Sequence, residues 1–307
     1  MRLLSRLLLL ALPLGFCAIV VGTANSAPQR VSFQSLDGKT QLVGYLFSPR
    51  RPAKDRSPAI VMMHGRAGPY STAAHGRFDA TTISKRHLFW GRFWAEQGYF
   101  ALLVDGFGPR GYPEGFPIHS YAERPDAVNE VTVRPLDAYG ALLYLRGRSD
   151  VDGARIALQG WSNGGSATIA AMSSEIIAKT QIDPGDGFIG ALAFYPACQL
   201  HDTFSGGYEP CAPLRLFAGD ADEEVSTRRC VDFVEGARKG GGDVSILVYP
   251  GATHGFDDPG DKRQRIAQNA RATEDAVARA QEFVRALFSG SAPQQGVPRR
   301  LGDVRRR

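Results

Sequence analysis

Gly160-Trp161-Ser162-Asn163-Gly164 sets a serine between two glycines. An apolar run, Arg155-Ile156-Ala157-Leu158-Gln159, precedes it, and a run of small residues from Gly165 to Met172 follows. The pattern reads as a buried strand, a sharp turn and a helix. Such a turn forces the serine into a strained backbone conformation that only small neighbours tolerate, and it lifts the hydroxyl above the sheet edge. The helix N-terminus points at the same place, and the free N–H of Asn163 favours negative charge on a bound molecule. The chemistry this arrangement serves is nucleophilic attack on a carbonyl. The same five residues also fit a plain strand-to-helix turn whose serine caps the helix, so the remaining residues must discriminate.

A serine hydroxyl is a weak nucleophile and needs a base, which in turn needs an orienting group. His254 is the only histidine after residue 201, and it stands in Pro250-Gly251-Ala252-Thr253-His254-Gly255-Phe256, directly after an apolar run at 244–249. Gly219-Asp220-Ala221-Asp222-Glu223-Glu224-Val225 follows another apolar run at 214–218. Asp222, three residues after Gly219, is preferred to Asp220 as the orienting acid. The other acids of this loop read as solvated or as caps of the following helix. His64-Gly65-Arg66-Ala67-Gly68 follows the apolar run 59–63. The backbone N–H of Arg66, with Ala67 as the alternative, is the candidate second oxyanion donor beside Asn163. His64 reads as a structural loop residue rather than a base.

The elements that must position these groups follow from periodicity. Residues 31–34 and 41–47 flank Asp37-Gly38 as a hairpin. Apolar strands are predicted at 59–63, 99–104, 155–159, 189–194, 214–218 and 244–249. Helices are predicted at 87–97, ended by Gly98, at 129–145, and at 262–288 with a break near Ala272. Strands alternating with helices imply an α/β fold with a mostly parallel, doubly wound sheet. Segment 105–127, rich in glycine and proline, is too long for a simple connection. It leaves the carboxyl end of a strand, where such sheets place ligands. Phe107, Tyr112, Phe116 and Tyr121 are available there as pocket walls or loop anchors. Arg110 is available to hold a substrate carboxylate or to tie down the loop.

The chain has 307 residues and a formal charge of +5. Residues 1–27 read as a secretory signal peptide: a basic start with Arg2 and Arg6, an uncharged apolar run at 7–21, and small residues at Asn25-Ser26-Ala27. The apolar run is short of the about 20 residues a membrane span needs, so the expected product is exported, periplasmic or secreted, without a stable membrane anchor. Residues 290–307 read as an unpacked basic tail. The body between them, 28–289, is close to neutral, and its charge gives no argument for nucleic acid binding. Cys198, Cys211 and Cys230 remain after cleavage, and an oxidising compartment favours one disulfide. Cys198 and Cys230 follow consecutive strands at the same sheet end. Cys211 lies at the opposite edge, about 17 Å away along a five-residue strand, beyond the roughly 7 Å Cα separation a disulfide allows. Cys198–Cys230 is therefore the expected pair.

Five motifs taken together resemble the dienelactone hydrolase family of α/β-hydrolases. They are His64-Gly65-Arg66-Ala67-Gly68, the run from Val104 to Gly111, Gly160-Trp161-Ser162-Asn163-Gly164-Gly165, Gly219-Asp220-Ala221-Asp222 and the run from Tyr249 to Phe256. They lie within residues 31–288. The chain order Ser162, Asp222, His254 is that of the α/β-hydrolase triad. The family's namesakes use a cysteine nucleophile. Ser162 in that place points to a serine-based hydrolase of small-molecule carboxylic esters or lactones, working without metal or organic cofactor. An exported serine peptidase would use the same three residues. A non-catalytic binding protein on this scaffold would be expected to have a broken triad, and all three members are present.

Overall fold

The computed structural model describes residues 27–199, 204 and 207–291. The expected leader and basic tail, apart from Ala27, Gly290 and Ser291, lie outside the described residues. Strands β1 (Gln29–Gln34) and β2 (Gln41–Phe47) form the expected antiparallel hairpin. The Asp37 carboxylate closes its turn by accepting the N–H groups of Lys39 and Thr40, both at 2.8 Å. The chain continues through β3 (Ser57–Met63), α1 (Lys85–Glu96), β4 (Phe100–Asp105), α2 (Arg134–Arg146), β5 (Val151–Trp161) and α3 (Asn163–Ala171). It then runs through α4 (Ser174–Lys179), β6 (Ala191–Phe194), β7 (Leu214–Gly219), α5 (Thr227–Lys239), β8 (Val244–Tyr249), α6 (Asp261–Gln264) and α7 (Ala267–Phe288).

The eight strands form one sheet in the order β1-β2-β4-β3-β5-β6-β7-β8. The β1–β2 and β2–β4 pairs are antiparallel and every later pair is parallel. Every residue of β3, β4 and β7 is buried, which is why these strands read as continuous apolar runs: helices cover both faces. Ala59, Val61 and Met63 of β3 join a core with Tyr139, Leu142, Ile169 and Phe233 from α2, α3 and α5. Ile60 and Met62 face the other way, into a core with Trp90 and Trp94 of α1 and Ala276 and Phe283 of α7. Burying each large apolar side chain contributes about 1.5–3 kcal/mol. No helix among the described residues is long and apolar enough to cross a membrane.

Two helix boundaries differ from the sequence expectation by more than two residues. Helix α2 starts at Arg134, not at residue 129, because Pro135 lacks an N–H and fits only in a helix's first turn. Residues 129–133 instead form a turn in which Asn129 Oδ1 accepts the N–H groups of Val131 and Thr132. The C-terminal helix breaks at Ile266, in extended backbone, not near Ala272, which faces the core from inside α7. The break lets Asn269 turn back onto the loop after β8: its Oδ1 accepts the Thr253 N–H at 2.9 Å, and its Nδ2 donates to Thr253 Oγ1 at 2.9 Å.

Candidate active site

Strand β5 ends at Trp161 and α3 begins at Asn163, so Ser162 occupies the corner between them with φ 54° and ψ −118°. A non-glycine residue at positive φ is strained, and here the corner is held from several sides. The Ser162 N–H donates to Phe194 O at 2.9 Å, and Ser162 O accepts the Ser166 N–H at 2.9 Å. Gly164 is required by close approach. A Cβ there would run into the carbonyls of Met63 and His64, so the elbow packs directly on the end of β3.

Ser162 Oγ lies 3.0 Å from His254 Nε2, and His254 Nδ1 lies 2.8 Å from Asp222 Oδ2. The three side chains come from the loops after β5, β8 and β7. The second carboxylate oxygen of Asp222 accepts the N–H groups of Glu224 and Val225, both at 2.9 Å. Asp220 faces away and accepts the Gly251 N–H at 2.5 Å, so it steadies the histidine loop from its other end. His254 is buried. Its N–H donates to Glu223 Oε2 at 2.9 Å, and the Tyr195 ring stands edge-on to the imidazole at 4.7 Å. The Tyr195 hydroxyl donates to Asp257, a fully buried carboxylate that also accepts the indole N–H groups of Trp90 and Trp161.

Beside the Ser162–His254 pair stands the loop 64–68. His64 is fully buried: Nδ1 bonds Gly65 O at 2.7 Å and Nε2 accepts the Gly106 N–H at 3.2 Å. Burial, with the Arg134 cation nearby, holds its pKa well below the usual histidine range, so it stays neutral and structural. Neither the Arg66 N–H nor the Asn163 N–H donates to another group among the described residues. The Arg66 side chain makes a two-pronged pair with Glu224, both bonds 2.9 Å, and donates to Phe116 O at 3.1 Å.

Glu223 and Glu224, read from sequence as solvated or capping, are both engaged at the site. Glu224 Oε2 lies 3.7 Å from His254 Nε2. Burial opposes its ionisation, yet Arg66 and His254 hold its carboxyl below the usual range. Glu223 is likewise held low against burial, by the His254 N–H and by Arg263. The partner of each lies far away in sequence, so no local spacing announces it.

The 105–127 segment divides between the two roles read for it, loop anchor and pocket wall. Arg110 is taken up structurally: it bonds both Asp137 oxygens at 2.8 Å, Asp37 Oδ2 at 2.7 Å and Gly106 O at 2.8 Å. Of the two roles read for it from sequence, this is tying down the loop, and four bonds leave little of the fork for a substrate carboxylate. Phe107 is fully buried, edge-on to His64 at 4.5 Å, and anchors the loop. Phe116 and Tyr112 are half-buried and continue the aromatic series outward, with centroids 5.2 Å and 5.3 Å apart in turn. Cys198 and Cys230 are joined by a disulfide across 32 residues, and Cys211 is a free thiol. Among the described residues no group of three or more His, Cys, Asp or Glu side chains is placed to hold a metal ion.

An eight-stranded, mostly parallel sheet with a serine on a strained corner after its fifth strand defines an α/β-hydrolase. The family model for the dienelactone hydrolase family matches residues 42–288. The chain belongs to that family, and with it to the carboxylic ester hydrolases. Solved structures share the fold. A protein described as a dienelactone hydrolase from Klebsiella pneumoniae is 16% identical, with a TM-score of 0.59 over 84% of this chain and 99% of that one. A thermophilic esterase from Thermogutta terrifontis, with propionate bound, is 19% identical, with a TM-score of 0.56 over 87% and 97% of the two chains. A dienelactone hydrolase-like promiscuous phosphotriesterase from metagenomic libraries is 16% identical, with a TM-score of 0.58 over 84% and 99%.

Proposed function

We propose that this protein is a serine hydrolase of carboxylic esters or lactones, with Ser162 as nucleophile, His254 as general base and acid, and Asp222 as the group that orients His254. The hydrogen-bonded chain from Asp222 through His254 to Ser162 carries the reading. His254 Nε2 takes the Ser162 hydroxyl proton as Oγ bonds the carbonyl carbon, and the carbonyl π electrons move onto oxygen. The Arg66 and Asn163 N–H groups receive that oxyanion. Collapse expels the alcohol, which takes the proton from His254. Water repeats the sequence on the acyl-enzyme: it loses a proton to His254 and releases Ser162. The half-buried Phe116 and Tyr112 offer apolar surface to a small-molecule substrate.

Replacing Ser162 by Ala tests the assignment. It should leave the fold and thermal midpoint intact and lower p-nitrophenyl ester turnover by at least about 10⁴-fold. A fluorophosphonate probe should label the parent at Ser162 and fail to label the variant. Near-parental turnover by Ser162→Ala would overturn the assignment. Faster cleavage of peptide anilides than of matched esters would move the protein to the peptidases.

A further inference from the structure

Arg134, the first residue of α2, has no exposed surface. Removing a guanidinium from water costs several kcal/mol unless strong bonds offset it. A purely structural arginine would be expected to turn its fork onto a carboxylate, as Arg110 does. Arg134 instead directs Nη1 at two other acceptors: the backbone carbonyl of His64, at 2.8 Å, and the side-chain oxygen of Asn163. Its Nε and Nη2 make no hydrogen bond among the described residues, although the Asp137, Glu130 and Asp105 carboxylates lie within range of its charge. The Phe107 ring lies against the guanidinium, 4.9 Å from centroid to carbon. The two acceptors belong to the two segments that carry the candidate oxyanion donors: His64 lies two residues before Arg66, and Asn163 is itself the other donor.

We propose that Arg134 is a positioning residue for the oxyanion hole, its buried guanidinium clamping the loop after β3 to the elbow after β5 so that the Arg66 and Asn163 N–H groups converge on one point. The inference rests on the serine-hydrolase reading above. Two donors on separate loops stabilise an oxyanion only if their spacing is fixed before the reaction. One cation bonded to both loops fixes it. Burial pulls the Arg134 pKa down only to about 10, so the cation persists at neutral pH.

The decisive variant is Asn163→Ala, which keeps the backbone N–H and removes the side-chain amide, both the acceptor of the clamp and the group beside Glu130. On a p-nitrophenyl ester, kcat is expected to fall about 10- to 100-fold with KM within about two-fold. Affinity for a trifluoromethyl ketone, which mimics the tetrahedral state, should fall by a similar factor; the thermal midpoint should also drop, because the buried guanidinium loses an acceptor, but circular dichroism should show the variant folded at the assay temperature. Arg134→Lys, which retains the charge and a single donor nitrogen, should recover part of what Arg134→Met loses, and the Arg134→Lys and Asn163→Ala losses should not add when combined. If Arg134→Met does not fold, Asn163→Ala and the Lys variant decide. Parental kcat and ketone affinity in Asn163→Ala would overturn the proposal while Ser162→Ala stays inactive. An active Ser162→Ala would overturn the underlying reading, and this inference with it.

Discussion

Asp222 gives one carboxylate oxygen to His254 and the other to the N–H groups of Glu224 and Val225. It is thereby fixed as an acceptor, and His254 Nδ1 must carry the proton, which leaves Nε2 free to accept from Ser162. Asp222→Asn would present an amide donor or a weaker acceptor and favour the wrong tautomer. We expect kcat to fall by about 10⁴-fold with the fold intact, measured as steady-state ester turnover beside circular dichroism. A loss under ten-fold would assign the orienting role elsewhere. Ser162, Asp222 and His254 were legible in the sequence because each lies in the loop that follows a parallel strand, and the chain order of the strands orders the side chains. Glu224 and Arg134 were not. Arg66 and Glu224 pair across 158 residues, and Arg134 meets its acceptors 70 and 29 residues away. Contacts of that kind leave no mark in local spacing, and a charged residue in a polar loop looks solvated until the partner is known.

At the level of elements, the elbow depends on a backbone-to-backbone approach between α3 and the end of β3. Gly164→Ala sets a methyl group against the Met63 and His64 carbonyls, and Met63 cannot move without disturbing its pairing with Gly160 at the end of β5. We expect a loss of at least about 3 kcal/mol, seen as a lower urea midpoint. A stable, active Gly164→Ala would show that the elbow can relax. Helix α1 supplies a pH-dependent term. His87, buried at its first turn, bonds Ser84 Oγ at 2.8 Å and Pro69 O at 3.1 Å. Burial, with the neighbouring Arg86 cation, pushes its pKa down to about 3. The unfolded chain protonates this side chain near pH 6.5 and the folded chain does not, so stability falls as pH falls between those values, by up to about 1.4 kcal/mol per unit. His64 acts in the same direction. Asp105, Glu130 and Asp137 act in the opposite one, because burial raises their carboxyls. The difference between parent and His87→Asn isolates the His87 term: from pH 7 to pH 5 the parent should lose more stability than the variant. Parallel profiles would show that His87 is protonated in the folded chain. The strand cores and the hairpin were readable from apolar runs, whereas the start of α2 turned on the single proline at 135, which outweighs the apolar periodicity around it.

Across the whole molecule, the Cys198–Cys230 disulfide ties the chain after β6 to the first turn of α5 and encloses β7 and the Asp222 loop. Closing a 32-residue separation stabilises by about 3–4 kcal/mol in the chain-entropy account, which for a chain of this size is a shift on the order of 10 °C in thermal midpoint. Cys198→Ser with Cys230→Ser, or reduction of the parent, should show that loss, while Cys211→Ser, outside the bridge, should leave the midpoint in place. A structural disulfide of this kind persists in an oxidising compartment and is rare in a reducing one. We therefore propose, as the sequence leads one to expect, that residues 1–27 direct export and are then removed. The experiment is expression of the full chain in a bacterium, separation of periplasm from cytoplasm, and mass measurement of the recovered protein. Export predicts a periplasmic product beginning near residue 28, two hydrogens lighter than its fully reduced mass. A cytoplasmic product that retains residues 1–27 with all its cysteines reduced would overturn export and would leave the active-site chemistry to proceed without the bridge.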